Sequence, residues 1–236
     1  MLSITPNQIL SIKMQKGDIV GRKANFTNVQ VDSNVRELMI HMGIYMGNNI
    51  LLDLFQTGLR EITITDFVAE NNGSNTFEVL RFKGDYKDII ISHLNENLKN
   101  HNYYLPSSSY PWNLMSNAEN YESANCADFL HAQFLYAIRQ LKENSSFDNE
   151  QDKEKFNKIY ANNRLIDSQK VTFPKYAIRV SNQFQATNGS EDNAFHNRFE
   201  NPEVHDKVVT FPFHSFHCYK QSNFFESVSV ENISTN

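Results

Sequence analysis

Cysteine is scarce in this chain of 236 residues: Cys126 and Cys218 are the only two. Two thiols exclude a disulfide scaffold and a thiolate-rich zinc site. They fit a reducing compartment, although a single bridge is formally possible. Basic runs are missing as well. Twenty-two Lys and Arg against 27 Asp and Glu leave a formal charge of −5 at pH 7, which supports solubility and gives no general case for nucleic acid as a partner. No stretch approaches the about 20 apolar residues that a bilayer span needs. The opening Met1-Leu2-Ser3-Ile4-Thr5-Pro6 has neither the charged segment nor the apolar stretch of a secretory signal, so a cytoplasmic location is expected. Asn25, Asn72 and Asn188 begin glycosylation-type triplets, which in an Asn-rich chain with no entry signal read as chance. No internal repeat is present.

What the chain does carry is aromatic mass. Eighteen Phe and ten Tyr are more than a disordered chain of this polarity holds, and they point to an aromatic core. The length suits one domain, with a core over 1–146 and an extension over 147–236 packed on it, its tail polar from about 226. Lys16 to Val20 reads as a turn entering a strand, and Asn25 to Ser33 as a loop. Leu38 to Met46 and Ile50 to Phe55 read as paired strands around Gly47-Asn48-Asn49, residues that tolerate positive φ. Ile62 to Phe67 and Phe77 to Phe82 are further strand candidates. Tyr86 to Leu98 changes to helical spacing, and a solvated helix is expected near Lys153 to Tyr160. His101 to Ser123 and Gln183 to Pro202 read as loops, and Val171 to Val180 and Lys207 to Phe213 as weaker strands.

Cys126 opens a periodic apolar segment through Phe134, Ala137, Ile138 and Leu141. A thiol in the first turn of a helix meets unpaired backbone N–H groups and the positive dipole end, which favour thiolate. A nucleophile also needs a base and a group to orient it. His41 is the histidine embedded in a strongly strand-like run, and Asp53 lies across the expected hairpin. In a regular strand His41, Gly43, Tyr45 and Gly47 share one face, and Met42, Ile44 and Met46 the other. The small Gly43 leaves room beside His41 for a substrate or another backbone. Asp53 is the only acid between Glu37 and Glu61 and interrupts an apolar run, so a carboxylate buried there needs a partner such as imidazole. Each residue also has a plain reading: an edge carboxylate, a core histidine satisfied by backbone, an inert buried thiol. Together they form the candidate catalytic set Cys126, His41 and Asp53. Tyr110 and Trp112 suit packing against an acyl chain or peptide, or plain loop packing. His214, His217 and Cys218 are too compressed for a familiar zinc finger, so no metal or cofactor is expected.

Three motifs occur in order: Gly17-Asp18-Ile19-Val20, then His41-Met42-Gly43-Ile44-Tyr45-Met46-Gly47, then Asn125-Cys126-Ala127-Asp128-Phe129. Over about Lys16 to Leu141 the chain resembles the lecithin:retinol acyltransferase-like family, the circularly permuted branch of the NlpC/P60 thiol hydrolases. The resemblance implies an α+β, permuted NlpC/P60 (papain-like) fold: an antiparallel sheet packed against helices, with a C-terminal elaboration. It makes Cys126 the acylated nucleophile, His41 its base, Tyr45 the aromatic residue of the same box and Asn125 a support for the turn. Tyr110 resembles a tyrosine often found upstream of the cysteine. Where the family commonly carries a second histidine this chain has Asp53, and Ala127-Asp128 replaces a common Glu-His pair. The implied activity is a cysteine-dependent acyltransferase or phospholipase-like hydrolase acting through an acyl-thioester on an acyl-lipid, with peripheral membrane contact. A peptide amidase or cysteine protease is the alternative enzyme. An inactive interaction module that keeps the fold is the non-enzymatic alternative.

Overall fold

The structure, a computed structural model, describes residues 4–25, 37–55, 58–70, 76–101, 126–143, 147, 149–160, 216 and 219–228. They form a mixed α+β fold around an antiparallel sheet. In chain order the elements are α1 (Pro6–Ser11), β1 (Ile19–Asn25), β2 (Glu37–Gly47), β3 (Ile50–Phe55), β4 (Gly58–Thr63), α2 (Ile64–Ala69), β5 (Thr76–Phe82), α3 (Lys87–Lys99), α4 (Cys126–Glu143), α5 (Glu150–Ile159) and β6 (Phe225–Val228). The sheet order is β4-β3-β2-β1-β5-β6.

The β2–β3 hairpin follows its sequence signal. Gly47 pairs with Ile50, and the two residues between them, Asn48 and Asn49, have φ of 50° and 65°. Positive φ at both central positions is the twist that a two-residue hairpin requires, and asparagine accepts it at low cost. Period-2 alternation then divides β2 and β3 between two cores. Met42, Ile44, Leu52 and Leu54 join Leu80 and Phe82 beneath α3 and α4. Leu51 joins Val20, Phe77 and Val79 beneath α1 and α2. Phe156, Tyr160, Phe216, Tyr219 and Phe225 belong to the first cluster, so residues after 147 complete the core under α4.

Three boundaries differ from the sequence reading. Ile62 to Phe67 is not one strand: β4 ends at Thr63, whose hydroxyl accepts a hydrogen bond from the Asp66 N–H and starts α2. Ile64, Phe67 and Val68 then fall at helical spacing on the buried side, a pattern too short to stand out from strand alternation. β1 runs to Asn25, where a loop was expected to begin. At the other end Phe225–Val228 pairs with β5, so chain beyond 226 still belongs to the sheet, anchored by buried Phe225 and Val228. The segments Asn102 to Ser123, Val171 to Val180, Gln183 to Pro202 and Lys207 to Phe213 lie outside the described residues. No described helix is long and apolar enough to cross a membrane.

Phe82 ties the strands to α4. Its ring lies 5.4 Å from Phe225, 5.8 Å from Phe134 and 6.2 Å from Phe224. Phe82→Ala is expected to destabilise the protein by about 3–5 kcal/mol, because the rigid surroundings leave a cavity. Urea unfolding followed by far-UV circular dichroism measures it as a lower midpoint at an unchanged slope.

Candidate active site

The site is built on the β2–β3 pair. His41 Nε2 lies 2.8 Å from Asp53 Oδ2, and the two side chains are 7 % and 0 % exposed. They are not direct cross-strand partners: Asp53 stands opposite Gly43, and His41 opposite Arg22 on β1. The contact is therefore diagonal. A Cβ at Gly43 would come within 3.2 Å of the Leu52 carbonyl oxygen and 3.4 Å of the Asp53 Cβ. Glycine thus lets β3 close in while Asp53 leans towards the imidazole. Of the two uses the sequence suggested for the space beside His41, the neighbouring backbone takes this part of it.

Beyond the Gly43–Asp53 pair the two strands separate. His41 stays paired to β1, while Leu54 and Phe55 pair only with β4. Ile40 is skipped in the β1 register, a bulge of the kind that re-aims a neighbouring side chain. α4 packs on β2 and β3, and its first residue is Cys126. The parting of the strands lets a residue from a helix on one face meet a histidine of the other. Cys126 is a free thiol, 2 % exposed, and close enough to His41 to raise the proton affinity of the imidazole. With Nε2 engaged by Asp53, Nδ1 is the nitrogen left for the sulfur.

Burial by itself disfavours the imidazolium. The charge of Cys126 and the Asp53 carboxylate outweigh it and hold His41 at about 9, against an ordinary 6.5. Burial likewise pushes Asp53 up, but hydrogen bonds from His41 and Arg60 hold it below the usual carboxylate range. Arg60 had no part in the sequence reading. It sits opposite Asp53 on β4 and donates from Nε to Oδ1 at 2.8 Å and from Nη2 to Oδ2 at 3.0 Å. Its Nη1 donates to Glu70 Oε1 at 2.6 Å, and Glu70 also pairs with Arg22, which donates to the Phe67 carbonyl at 3.0 Å. Phe67 closes the ring: it lies 5.8 Å from the His41 ring and 4.8 Å from the Arg22 guanidinium carbon. The signal for Arg60 was register. Once Phe55 pairs with Gly58, Asp53 and Arg60 must face each other.

Tyr45 shares the His41 face but stands four residues towards the turn, about 13 Å along the strand, and its hydroxyl accepts from the Asn49 N–H. The structure therefore does not group Tyr45 with His41 and Cys126. Asn125, Tyr110 and Trp112 lie outside the described residues, as do His214, His217 and Cys218. Among the described residues no group of three or more His, Cys, Asp or Glu is arranged to hold a metal ion. Compared with known proteins, the chain matches no family model, and no curated protein or solved structure is significantly similar to it.

His41 is raised above its unfolded value, so its stabilisation is complete below about 6.5 and is lost as pH climbs through about 9. Asp53 is depressed, so its contribution is present above 3.8 and fades as pH falls through its folded value. The urea midpoint is expected to peak between about pH 4 and 6.5, with an alkaline decline that His41→Gln flattens. Proton NMR of the imidazole should give a His41 midpoint near 9, lowered in Asp53→Asn and in Cys126→Ser. A wild-type midpoint near 6.5 would contradict the coupling of the three side chains.

Proposed function

We propose that the protein is a thiol-dependent acyl-transfer enzyme of the permuted NlpC/P60, papain-like type: a cysteine-dependent acyltransferase or phospholipase-like hydrolase. One observation carries the reading. His41 is hydrogen-bonded to a fully buried carboxylate and is coupled electrostatically to a free cysteine at the first residue of an 18-residue helix. A nucleophile, a base and an orienting group in that sequence are the parts covalent acyl transfer needs.

The chemistry follows from the protonation states. In this reading Cys126 attacks as the thiolate and His41 carries the proton. The thiolate attacks the ester carbonyl carbon, and the carbonyl π electrons move to oxygen. The first backbone N–H groups of α4, which have no partner within the helix, are suited to receive that oxyanion. As the carbonyl reforms, the carbon–oxygen bond breaks and the His41 imidazolium gives its proton to the departing alkoxide, leaving an acyl-thioester. An incoming water, amine or alcohol loses its proton to His41 as it attacks the thioester, and the thiolate departs. Asp53 never becomes protonated. It keeps the imidazole in one tautomer and stabilises its charged form.

Intact-protein mass spectrometry tests this. Incubation with short-chain diacylphosphatidylcholine is expected to add one acyl mass that maps to Cys126 and is absent in Cys126→Ala. His41→Ala should slow acylation by about a hundredfold or more. An adduct from a peptide ester library, with none from lipid, would move the reading to the peptide amidases. A Cys126 no more reactive towards iodoacetamide than the thiol of the urea-unfolded chain would remove the nucleophile, leaving a folded interaction module.

A further inference from the structure

We infer that Arg60 is a positioning residue of this site: its guanidinium fork fixes the Asp53 carboxylate, which in turn fixes the His41 ring with Nε2 towards Asp53 and Nδ1 towards Cys126. The geometry stands by itself; the role in chemistry rests on the acyl-transfer reading above.

A carboxylate held only by His41 is free to turn about its Cβ–Cγ bond. Arg60 removes that freedom. It donates to both carboxylate oxygens, at 2.8 Å and 3.0 Å, so Asp53 accepts three hydrogen bonds in all and Oδ2 is shared between His41 and Arg60. Two parallel donors from a planar group set the plane of the acceptor as well as its distance, which an ammonium cannot do.

Arg60 is itself braced from two sides. Its third donor reaches Glu70, which is tied to Arg22. Its guanidinium carbon lies 4.0 Å from the centroid of Phe55, whose ring meets His41 edge-on at 5.5 Å. Phe55 thus separates the two cations while touching both. The titratable and charged groups near Asp53 come from every neighbouring element: His41 on β2, Arg60 on β4, Glu70 at the end of α2, Arg22 on β1 and the Cys126 thiol on α4. The Arg60 side chain is 25 % exposed, so it can be exchanged without opening the core.

Two variants separate orientation from charge. Arg60→Gln removes the charge, and Arg60→Lys keeps the charge without the fork. The rate of Cys126 alkylation by iodoacetamide is measured from about pH 4 to pH 9 on each folded variant. Arg60→Gln is expected to lose about tenfold or more at pH 7, with its acid limb moved to higher pH as the buried carboxylate takes up a proton more readily. Arg60→Lys should restore the position of the limb but not the full rate. A wild-type rate and limb in both variants overturns the inference. So does a lowered urea midpoint with an unmoved limb, which is what a merely structural arginine would give. If Arg60→Gln does not fold, Arg60→Lys decides alone: a full wild-type rate overturns the fork. If wild-type Cys126 proves inert, the acyl-transfer reading fails, yet carboxyl carbon NMR still tests the clamp. An upward shift of the Asp53 titration by about one unit in the Arg60 variants supports it, and an unmoved titration refutes it.

Discussion

A carboxylate with no solvent exposure, Asp53, sits in the middle of a β-strand between Leu52 and Leu54, and much around it follows from that placement. An ionised carboxylate taken out of water is costly unless it is paired and all its lone pairs find donors. His41 supplies one donor and Arg60 two. Arg60 then needs an acceptor for its remaining edge and finds Glu70, and Glu70 finds Arg22. The result alternates in sign through Asp53, Arg60, Glu70 and Arg22, two carboxylates against two guanidiniums. A buried ionic network is no proof of stability, since apolar replacements often do as well. Removal of one partner is different where the charge left behind is fully buried, as Asp53 is, because that charge is then stranded.

The second constraint is topological. Antiparallel pairing between β2 and β3 starts at the hairpin turn, skips Met46 and stops at Gly43 and Asp53. On the α3–α4 side the same strands bury Met42, Ile44, Leu52 and Leu54, and these hold α4 through Phe129, Leu130 and Phe134. On the α1–α2 side Leu51 packs beside the polar cluster. Cys126 belongs to neither apolar cluster, although the next residue, Ala127, is in the first. The apolar face of α4 thus fixes the height at which its first residue meets the sheet, and the separation of the strands fixes what it meets. Core packing and the thiol–imidazole contact are one geometric problem here, not two.

The hairpin, the helix beginning at Cys126 and the approach of Asp53 to His41 were legible in the sequence because each rests on a local rule. Asn48-Asn49 admits positive φ at both turn positions, alternation sorts the strand faces, and periodicity after Cys126 marks α4. What failed to show was non-local or too short. Arg22 reads as an ordinary charged strand residue until its register against His41 is known. Glu70 reads as the start of a polar turn, yet at the end of α2 it bridges two strands that are not neighbours in the sheet. α2 itself has six residues, so its spacing merged with the strand before it, and only the Thr63 cap distinguishes them. Tyr45 shows the limit of parity. It shares the His41 face as alternation requires, but parity says nothing about distance along the strand, and four residues separate the two.

The residue at position 53 also decides what lies beneath it. An imidazole there would be neutral near pH 7 and would ask little of β4. A buried carboxylate cannot be left with one partner that itself titrates, because loss of the His41 proton would strip it of its counter-charge. Arg60 keeps its charge at every pH the fold survives, so Asp53 has a permanent partner whichever way the Cys126–His41 proton lies. His41, Asp53 and Arg60 thus form one hydrogen-bonded unit across β2, β3 and β4, and a change at any one of them alters what the other two must do. The carboxylate strengthens the imidazolium, and the arginine helps to keep that carboxylate ionised.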